Sequence, residues 1–248
     1  METRLHFDIL PQPDDLTCGP TCLHAVYRYY GLEIALQEVI DETSTLEHGG
    51  TLAVMLACRA LARGFHATIY TYNLQIFDPT WFPTEALSLS EKLAAQRDCK
   101  ESKRIATATQ AYLEFLQFGG VLKMVDLTPS LIRKHLKRGV PILTGLSSTY
   151  LFQEAREYGV PCESDDVRGF PAGHFVVLCG YDPASRGVLV ADPLIPNPMA
   201  PSQHYVINVD RVICAILLGI VTYDANLLII EPAVTCQRIG HARSYRRQ

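Results

Sequence analysis

The chain opens with an extended stretch and a Pro-rich turn, after which the hydrophobic positions follow a helical period. Apolar side chains recur every three or four residues, at Leu23, Val26, Tyr27 and Tyr30. This spacing places them on one face of a helix. Pro20 suits the first turn of that helix, Thr17 can serve as its N-cap and Gly31 can end it. The pattern therefore predicts a helix that begins at Cys18.

Two shorter helices and one alternating strand are predicted next, at residues 34–41, 52–63 and 66–73. Residues 77–118 depart from this pattern, because a turn-rich entry leads into one or two polar helices that end in Gly-Gly. We interpret 77–118 as a helical insertion that lies over one side of the domain.

The second half of the chain is rich in β-patterns. Strands and one helix are predicted at 121–126, 128–139, 140–146 and 226–232. Residues 147–172 read as a long loop with one helical turn, and 173–193 as a β-hairpin. Residues 206–219 fit either a helix or a pair of buried strands, since periodicity does not separate the two. Helices early and antiparallel strands late predict an α+β fold, in a single domain spanning 1–248.

Composition and charge exclude several classes of function. Hydrophobic residues make up 48% of the chain and charged residues 19%, which is enough apolar content to bury a core. A net charge of −4 offers no positive field for nucleic acid or anionic lipid. The longest apolar stretch, near 212–221, is too short to span a bilayer, and the N-terminus lacks the pattern of a secretory signal. We expect a cytoplasmic protein whose eight cysteines are reduced thiols.

Cys18 is the first candidate for chemistry. A thiol attacks as the thiolate, and the positive end of a helix favours that anion. Gly19 follows it directly, so the backbone of a substrate can approach closely. The alternative is a buried structural cysteine, which is more typical of helix interiors.

His174 and Asp192 are brought together by the predicted hairpin. His174 is the polar member of an otherwise apolar strand, a position that is often purely structural. With Tyr181 opposite Gly187, Asp192 falls opposite Val176, two residues from His174 and on the same face. A carboxylate there can fix the tautomer of the imidazole and stabilise its charged form. This pairing assumes a hairpin without a bulge. The alternative for Asp192 is a turn residue before a proline.

Gln12 lies six residues before Cys18 in the Pro-rich loop. If the loop curls over the helix start, the Gln12 amide can donate to an oxyanion beside the Cys18 N–H. Preorganised donors of this kind contribute about 3 kcal/mol each in acyl transfer.

Three segments carry a family resemblance: QPDDLTCGPTC, GHFVVLCGYD and VLVADP. They resemble the bacteriocin-processing double-glycine peptidases of the papain-like clan, over residues 10–64 and 140–193. The resemblance implies a papain-like fold, with N-terminal helices packed on a C-terminal antiparallel sheet and a cleft between them. Position by position, it implies a nucleophile at Cys18, a base at His174, a third triad member at Asp192 and an oxyanion donor at Gln12.

The resemblance implies a cysteine peptidase or amidohydrolase that cleaves a peptide or amide bond through a covalent acyl-enzyme. It implies no metal and no organic cofactor. The expected partner is a peptide or small amide substrate, with neither nucleic acid nor a membrane. Some stand-alone relatives resemble parts of small-peptide pathways that contain ATP-grasp ligases, and by that analogy we expect a similar setting.

Two other functions use the same residues. If the insertion and the 147–172 loop exclude water from the cleft, the acyl-enzyme can pass to an amine, as in an acyltransferase or transpeptidase. A catalytically inactive peptide-binding module can also keep a papain-like cleft.

The chain also contains a rival nucleophile, a rival base and two further aspartates. Cys22 lies one helical turn after Cys18, toward the core, and we interpret it as a packing residue. His48 precedes a Gly-Gly pair and reads as a loop residue, while Asp182 and Asp224 read as turn residues.

Overall fold

The computed structural model of the chain describes residues 2–46, 49–82, 89–159, 162–222 and 224–233. Within these residues the helices are α1 (Cys18–Tyr29), α2 (Leu36–Glu42), α3 (Ala53–Ala62), α4 (Leu89–Cys99), α5 (Lys103–Gln117), α6 (Pro129–Leu136), α7 (Ser148–Phe152) and α8 (Val209–Leu218). The strands are β1 (Thr3–Arg4), β2 (Phe65–Thr71), β3 (Val121–Lys123), β4 (Ile142–Ser147), β5 (Glu157–Tyr158), β6 (Glu163–Ser164), β7 (Gly173–Asp182), β8 (Gly187–Ala191), β9 (His204–Asn208) and β10 (Asn226–Pro232).

One large sheet organises the fold. Its strands are ordered β3-β2-β10-β4-β7-β8-β9, and β1 pairs with β7. Among the described strands only the β2–β3 pair is parallel, so the sheet is mostly antiparallel. This mixture of helices and antiparallel strands confirms the α+β prediction. The sheet is not purely C-terminal, however, because β1 and β2 come from the first part of the chain.

Hydrophobic clusters cover both faces of the sheet. Along β7, the side chains of Phe175 and Val177 belong to one cluster, and those of Val176 and Leu178 belong to the other. The first cluster includes residues of α1, α3 and α5, and the second includes residues of α6 and α8. Because both faces are buried, β7 reads as a continuous apolar run, and a polar residue within it needs a specific partner.

The β7–β8 hairpin has the predicted strand register near Asp192, although its turn and the pairs next to the turn differ from the prediction. Its turn lies one residue later than predicted, because Asp182 pairs with Gly187. A bulge at Cys179 then shifts the pairing by one residue, so that Val177 lies opposite Ala191. The assumption of a bulge-free hairpin was wrong, but the two shifts cancel. The next residue, Asp192, therefore follows β8 on the face predicted for it.

Two other segments differ from the sequence expectation. The stretch 147–172 contains one short helix, α7, where one helical turn was expected, but it also contains a small hairpin of β5 and β6 that was not predicted. The stretch 206–219, which periodicity left open, is divided at Asn208 between the end of β9 and α8. The Asn208 side chain accepts a hydrogen bond from the Asp210 N–H and thereby caps α8.

The segment 77–118 packs into the core where the structure describes it. Phe77, Leu93 and Phe115 are almost completely buried and belong to the same cluster as α1 and α3. The Ser102 side chain caps α5 by accepting a hydrogen bond from the Ile105 N–H. This segment therefore contributes to the core as well as covering it.

The longest described helix is α5, with 15 residues. The apolar stretch at 212–221 is divided between α8 and a short 3-10 helix. Within the described ranges, no helix has both the length and the hydropathy needed to cross a bilayer.

Candidate active site

Cys18 is the first residue of α1, as predicted, and is 9% exposed. Thr17 occupies the N-cap position, but its side chain makes no capping hydrogen bond. Instead, its hydroxyl donates to the Asp14 carbonyl over 3.1 Å and so closes the preceding turn. The first N–H groups of a helix have no intrahelical partner. Cys18 holds the first helical position, so its N–H is one of these groups.

Gly19 is required by packing at the start of the helix. A Cβ atom at this position would lie 2.6 Å from the Thr51 methyl group and 3.2 Å from the Phe175 ring. The absence of a side chain lets α1 approach β7 closely, and this places Cys18 near the first residues of that strand.

His174 and Asp192 form a buried pair. The Nε2 atom of His174 lies 2.7 Å from Oδ1 of Asp192, and the two residues are 8% and 0% exposed. An ionised carboxylate only accepts, so Nε2 carries the proton of this bond. The other ring nitrogen, Nδ1, is then left for the Cys18 thiol, and the Phe152 ring packs 6.1 Å from the imidazole, centroid to centroid.

The electrostatics of this pair favour the charged imidazole. Burial acts to lower the pKa of His174, but hydrogen bonds and charge interactions with Asp192 and Cys18 raise it to about 10. Burial also acts to raise the pKa of Asp192, yet its bonds to His174, the Leu194 N–H and Tyr205 lower it overall. These interactions therefore favour a proton on the His174 imidazole, which lies between the Asp192 carboxylate and the Cys18 sulfur.

The sequence reasoning missed two donors to Asp192. The Leu194 N–H donates to Oδ1 over 2.9 Å, and the Tyr205 hydroxyl donates to Oδ2 over 2.9 Å. Tyr205 lies on β9, where buried and more exposed residues alternate through Asn208. That alternation marks a strand, but this part of the chain was left open between helix and strand.

Gln12 reaches the same end of the sheet through its backbone. Its N–H donates to the Pro193 carbonyl over 2.9 Å, directly after Asp192. Its side-chain Nε2 donates to the Asp14 carbonyl over 2.9 Å, and its Oε1 is buried without a partner among the described residues. In the described ranges no hydrogen bond joins this side chain to Cys18 or His174. The loop that contains Gln12 therefore lies next to the site, but the Gln12 side-chain amide is directed at the Asp14 carbonyl within that loop.

The rival candidates take structural positions. The Cys22 thiol is fully buried and donates to the Phe175 carbonyl over 3.3 Å. Burial, with the charges of Cys18 and Asp192, raises its pKa well above the ordinary value. His48 lies outside the described residues.

Asp224 is not the simple turn residue that the sequence suggested. It is buried, and its two carboxylate oxygens both lie 3.1 Å from the Ala53 N–H, at the start of α3. It also accepts a hydrogen bond from Asn226. Burial is the main reason that its pKa rises to about 7.

Asp182 does cap a turn, because it accepts hydrogen bonds from the N–H groups of Ala184 and Ser185.

A cavity of about 440 Å³ lies beside the start of β7. Ser147, which pairs with Gly173, is part of its wall. The remaining lining residues come from α7, the segment between α7 and β7, the end of α8 and the short 3-10 helix that follows it: Thr149, Tyr150, Gln153, Glu154, Arg156, Pro171, Leu218 and Val221. A larger cavity of about 710 Å³ lies elsewhere, near Tyr72 and Leu127, and neither cavity is lined by a cysteine or a histidine.

The exposed Cys162 lies between β5 and β6. Partial burial, then Glu157 and the charge of Asp15, raise the pKa of the Cys162 thiol. Within the described residues, no group of three or more potential metal ligands is present.

Comparison with known proteins gives one family match. A model of the Peptidase_C39 like family matches residues 97–206. The matched segment contains His174, Asp192 and Tyr205, whereas Gln12 and Cys18 lie before it. A comparison with curated proteins finds no match.

Three peptidases are among the solved structures to which the chain is similar. A protein described as a C39-like peptidase from Bacillus anthracis shares 13% identity, with a TM-score of 0.48 over 94% of this chain and 98% of that one. The peptidase domain of Streptococcus ComA, a bi-functional ABC transporter, shares 14% identity, with a TM-score of 0.42 over 92% and 100%. A double-glycine motif protease from an AMS/PCAT transporter, in complex with its leader peptide, shares 14% identity, with a TM-score of 0.44 over 93% and 95%. Residues 97–206, which include the GHFVVLCGYD and VLVADP segments, match the Peptidase_C39 like family, and this match supports a cysteine peptidase-like hydrolase.

Proposed function

We propose that the chain is a cysteine peptidase that cleaves a peptide bond through a covalent acyl-enzyme on Cys18. The observation that carries this proposal is the buried His174–Asp192 pair, 2.7 Å between Nε2 and Oδ1, with the Cys18 thiol interacting with the same imidazole. A thiol at a helix start, a base beside it and a carboxylate that orients the base have the roles of a catalytic triad.

The first half of the reaction forms the acyl-enzyme. The proton of the Cys18 thiol passes to His174 Nδ1, and the thiolate attacks the carbonyl carbon of the scissile bond. The Cys18 N–H stabilises the resulting oxyanion. The Gln12 amide carries two hydrogens, of which one is donated to Asp14, and a small rotation directs the second toward the oxyanion. His174 then gives its proton to the leaving amine as the C–N bond breaks.

The second half releases the acyl group. Neutral His174 takes a proton from water, and the hydroxide formed attacks the thioester carbonyl. The C–S bond breaks, and the sulfur leaves as a thiolate that pairs again with the imidazolium. Throughout the cycle Asp192 accepts from Nε2, which keeps Nδ1 directed at the sulfur.

The substrate is a peptide that binds along the cavity beside β7. That cavity has both apolar side chains, such as Leu218 and Val221, and polar ones, such as Gln153 and Arg156. A mixed lining of this kind suits a peptide segment, whose backbone needs donors and acceptors while its side chains need apolar contact.

A peptide-library digest tests this proposal. We expect the wild-type chain to generate new peptide termini, measured by mass spectrometry, and the Cys18→Ala variant to generate none. Cys22→Ala is the matched control, because Cys22 is buried and bonded to a backbone carbonyl, and it should keep most of the cleavage. Cleavage by folded Cys18→Ala would reject the nucleophile.

Adding a primary amine to the same digest separates hydrolysis from acyl transfer. A peptidase releases free carboxyl termini at nearly the same rate with and without the amine. Amide products in place of acids would instead assign the site to an acyltransferase.

A further inference from the structure

Asp192 depends on a side chain from the neighbouring strand. Tyr205 lies on β9 opposite Val190 of β8, is only 6% exposed, and donates its hydroxyl to Asp192 Oδ2 over 2.9 Å. The backbone ties these strands together at the same place, because the Asp192 N–H donates to the Gln203 carbonyl over 2.8 Å.

The donors to the Asp192 carboxylate are divided between its two oxygens. His174 Nε2 and the Leu194 N–H both contact Oδ1, at 2.7 Å and 2.9 Å. Among the described residues, Oδ2 receives its hydrogen bond from Tyr205. Without the Tyr205 hydroxyl, a fully buried carboxylate oxygen would have no donor, and the carboxylate could rotate about its Cβ–Cγ bond.

We propose that Tyr205 is a positioning residue for the reaction, which holds Asp192 so that Oδ1 stays on the Nε2 atom of His174. This inference rests on the proposed function, since it assigns Tyr205 a part in assembling the thiolate–imidazolium pair. Tyr205 touches neither substrate nor sulfur, and it acts through Asp192.

The surroundings make this hydrogen bond sensitive to charge. The titratable groups that face Asp192 from packed elements are His174 on β7, Tyr205 on β9 and Cys22 on α1. Burial raises the pKa of Tyr205, as do the charge of Asp192 and the bond to it, so the phenol stays protonated and always donates. A missing donor destabilises a buried carboxylate, and a less stable carboxylate supports the imidazolium less well.

The test is the alkylation rate of Cys18 by iodoacetamide as a function of pH, measured by mass spectrometry on the full chain. In Tyr205→Phe we expect the acid limb of the profile to move upward by about one unit, which is about a tenfold slower rate at pH 6 and little change at pH 9. Tyr27→Phe is the matched control. It removes a buried hydroxyl that has no partner in the described residues, from the same helix as Cys18, and it should leave the profile unchanged.

Two further variants separate positioning from simple stability. If Tyr205 acts through Asp192, adding Tyr205→Phe to Asp192→Asn changes the profile no further. Fluorinated tyrosines at position 205 keep the shape of the residue and cover the case in which Tyr205→Phe does not fold. As the phenol becomes more acidic it donates more strongly, and the acid limb should move to lower pH.

The outcomes are distinct. An acid limb that does not move in Tyr205→Phe or across the fluorotyrosines overturns the role of Tyr205, as does a rate that falls equally at every pH. If wild-type Cys18 itself reacts no faster than the exposed cysteines, the proposed function fails instead.

Discussion

At the scale of single residues, the site depends on charges held almost without water. Asp192 has no exposed surface and His174 very little, so each would resist ionisation alone. Their charges are stabilised by each other and by fixed donors, which include the Leu194 N–H and the Tyr205 hydroxyl. Breaking one member of a buried pair leaves an uncompensated charge, and this is why single substitutions here should have large effects.

Replacing Asp192 by Asn should change the pH dependence of cleavage. Asn can still accept from His174 Nε2, but it lacks the charge that helps to raise the pKa of His174 to about 10. Leaving-group protonation needs charged His174, which is present below that pKa and lost above it. We expect the alkaline limb of the cleavage rate to move down by at least about one unit in Asp192→Asn, a tenfold loss at high pH. An unchanged alkaline limb would mean that Asp192 does not control His174.

At the scale of secondary structure, the site requires the start of α1 to lie very close to β7. The glycine after Cys18 allows this approach, and the segment 77–118 packs in the same hydrophobic cluster as α1 and α3. Both features can be tested by stability measurements that do not depend on a substrate.

Gly19→Ala should destabilise the fold by about 1–3 kcal/mol, the usual cost of overpacking. The new Cβ would lie 2.6 Å from the methyl group of Thr51, a buried side chain. Thr51→Ser removes that methyl group and keeps the hydroxyl that bonds to the Ser44 carbonyl. The double variant should therefore recover most of the loss in urea unfolding. If it does not, the strain at Gly19 comes from a different contact.

Phe115→Ala should lower the free energy of unfolding by about 3–5 kcal/mol, as for other large core truncations. Phe115 is fully buried in the cluster that contains α1 and α3. Phe118→Ala, three residues later and 58% exposed, is the matched control and should cost little. A loss below about 1 kcal/mol for Phe115→Ala would show that 77–118 is a separate layer and not part of the core.

At the scale of the whole molecule, one buried carboxyl joins distant parts of the chain and should make stability depend on pH. Asp224 contacts the start of α3 and Asn226 of β10, and its pKa rises to about 7 in the fold from an ordinary value of 3.8. Between about pH 4 and pH 7 the folded chain therefore keeps a proton on Asp224 that the unfolded chain releases. The contribution of Asp224 to the free energy of unfolding is largest below about pH 4 and is lost as the pH rises to about 7.

Asp224→Asn should reduce this fall in stability between pH 5 and pH 8. We expect the difference in melting temperature between the two pH values to shrink by at least about 2–4 °C, or about 1 kcal/mol. Asp182→Asn is the control, because hydrogen bonds from Ser185 and Ala184 lower the pKa of Asp182. Asp182 is therefore ionised in both the folded and the unfolded chain from pH 5 to pH 8, and its replacement should leave the pH difference unchanged. An unchanged pH difference in Asp224→Asn would show that Asp224 is ionised in the fold throughout this range.

Much of the fold could be predicted because local patterns determine it. The periods of α1 and β10, and the glycines after α1 and α3, marked elements that the structure contains. The bulge at Cys179 could not be predicted, since its carbonyl accepts from the Leu5 N–H, a contact made by the distant N-terminal segment. The His174–Asp192 pairing was reached only because the misplaced turn and the unseen bulge cancelled.

The parts of the site that sequence reasoning missed depend on tertiary contacts. Tyr205 becomes a partner of Asp192 only when β9 pairs with β8, and nothing near Tyr205 in the sequence indicates a carboxylate. The hairpin within 147–172 is held by pairs such as Glu157 with Ser164, and the stretch has no hydrophobic alternation. The direction of the Gln12 amide was missed for a different reason, because its hydrogen bond to the Asp14 carbonyl is a local turn contact that the residue pattern does not specify.

The most direct test of the central claim is a limited labelling of the wild-type chain with iodoacetamide at pH 6, with each cysteine quantified by mass spectrometry. An ordinary thiol with a pKa near 8.5 is only about 0.3% thiolate at that pH. Cys99, Cys162 and Cys214 are exposed, whereas Cys18 is 9% exposed, so access alone favours those three. A thiolate paired with His174 predicts that Cys18 is labelled at least about tenfold faster than any of them. Labelling of Cys18 at their rate, or more slowly, would contradict the account.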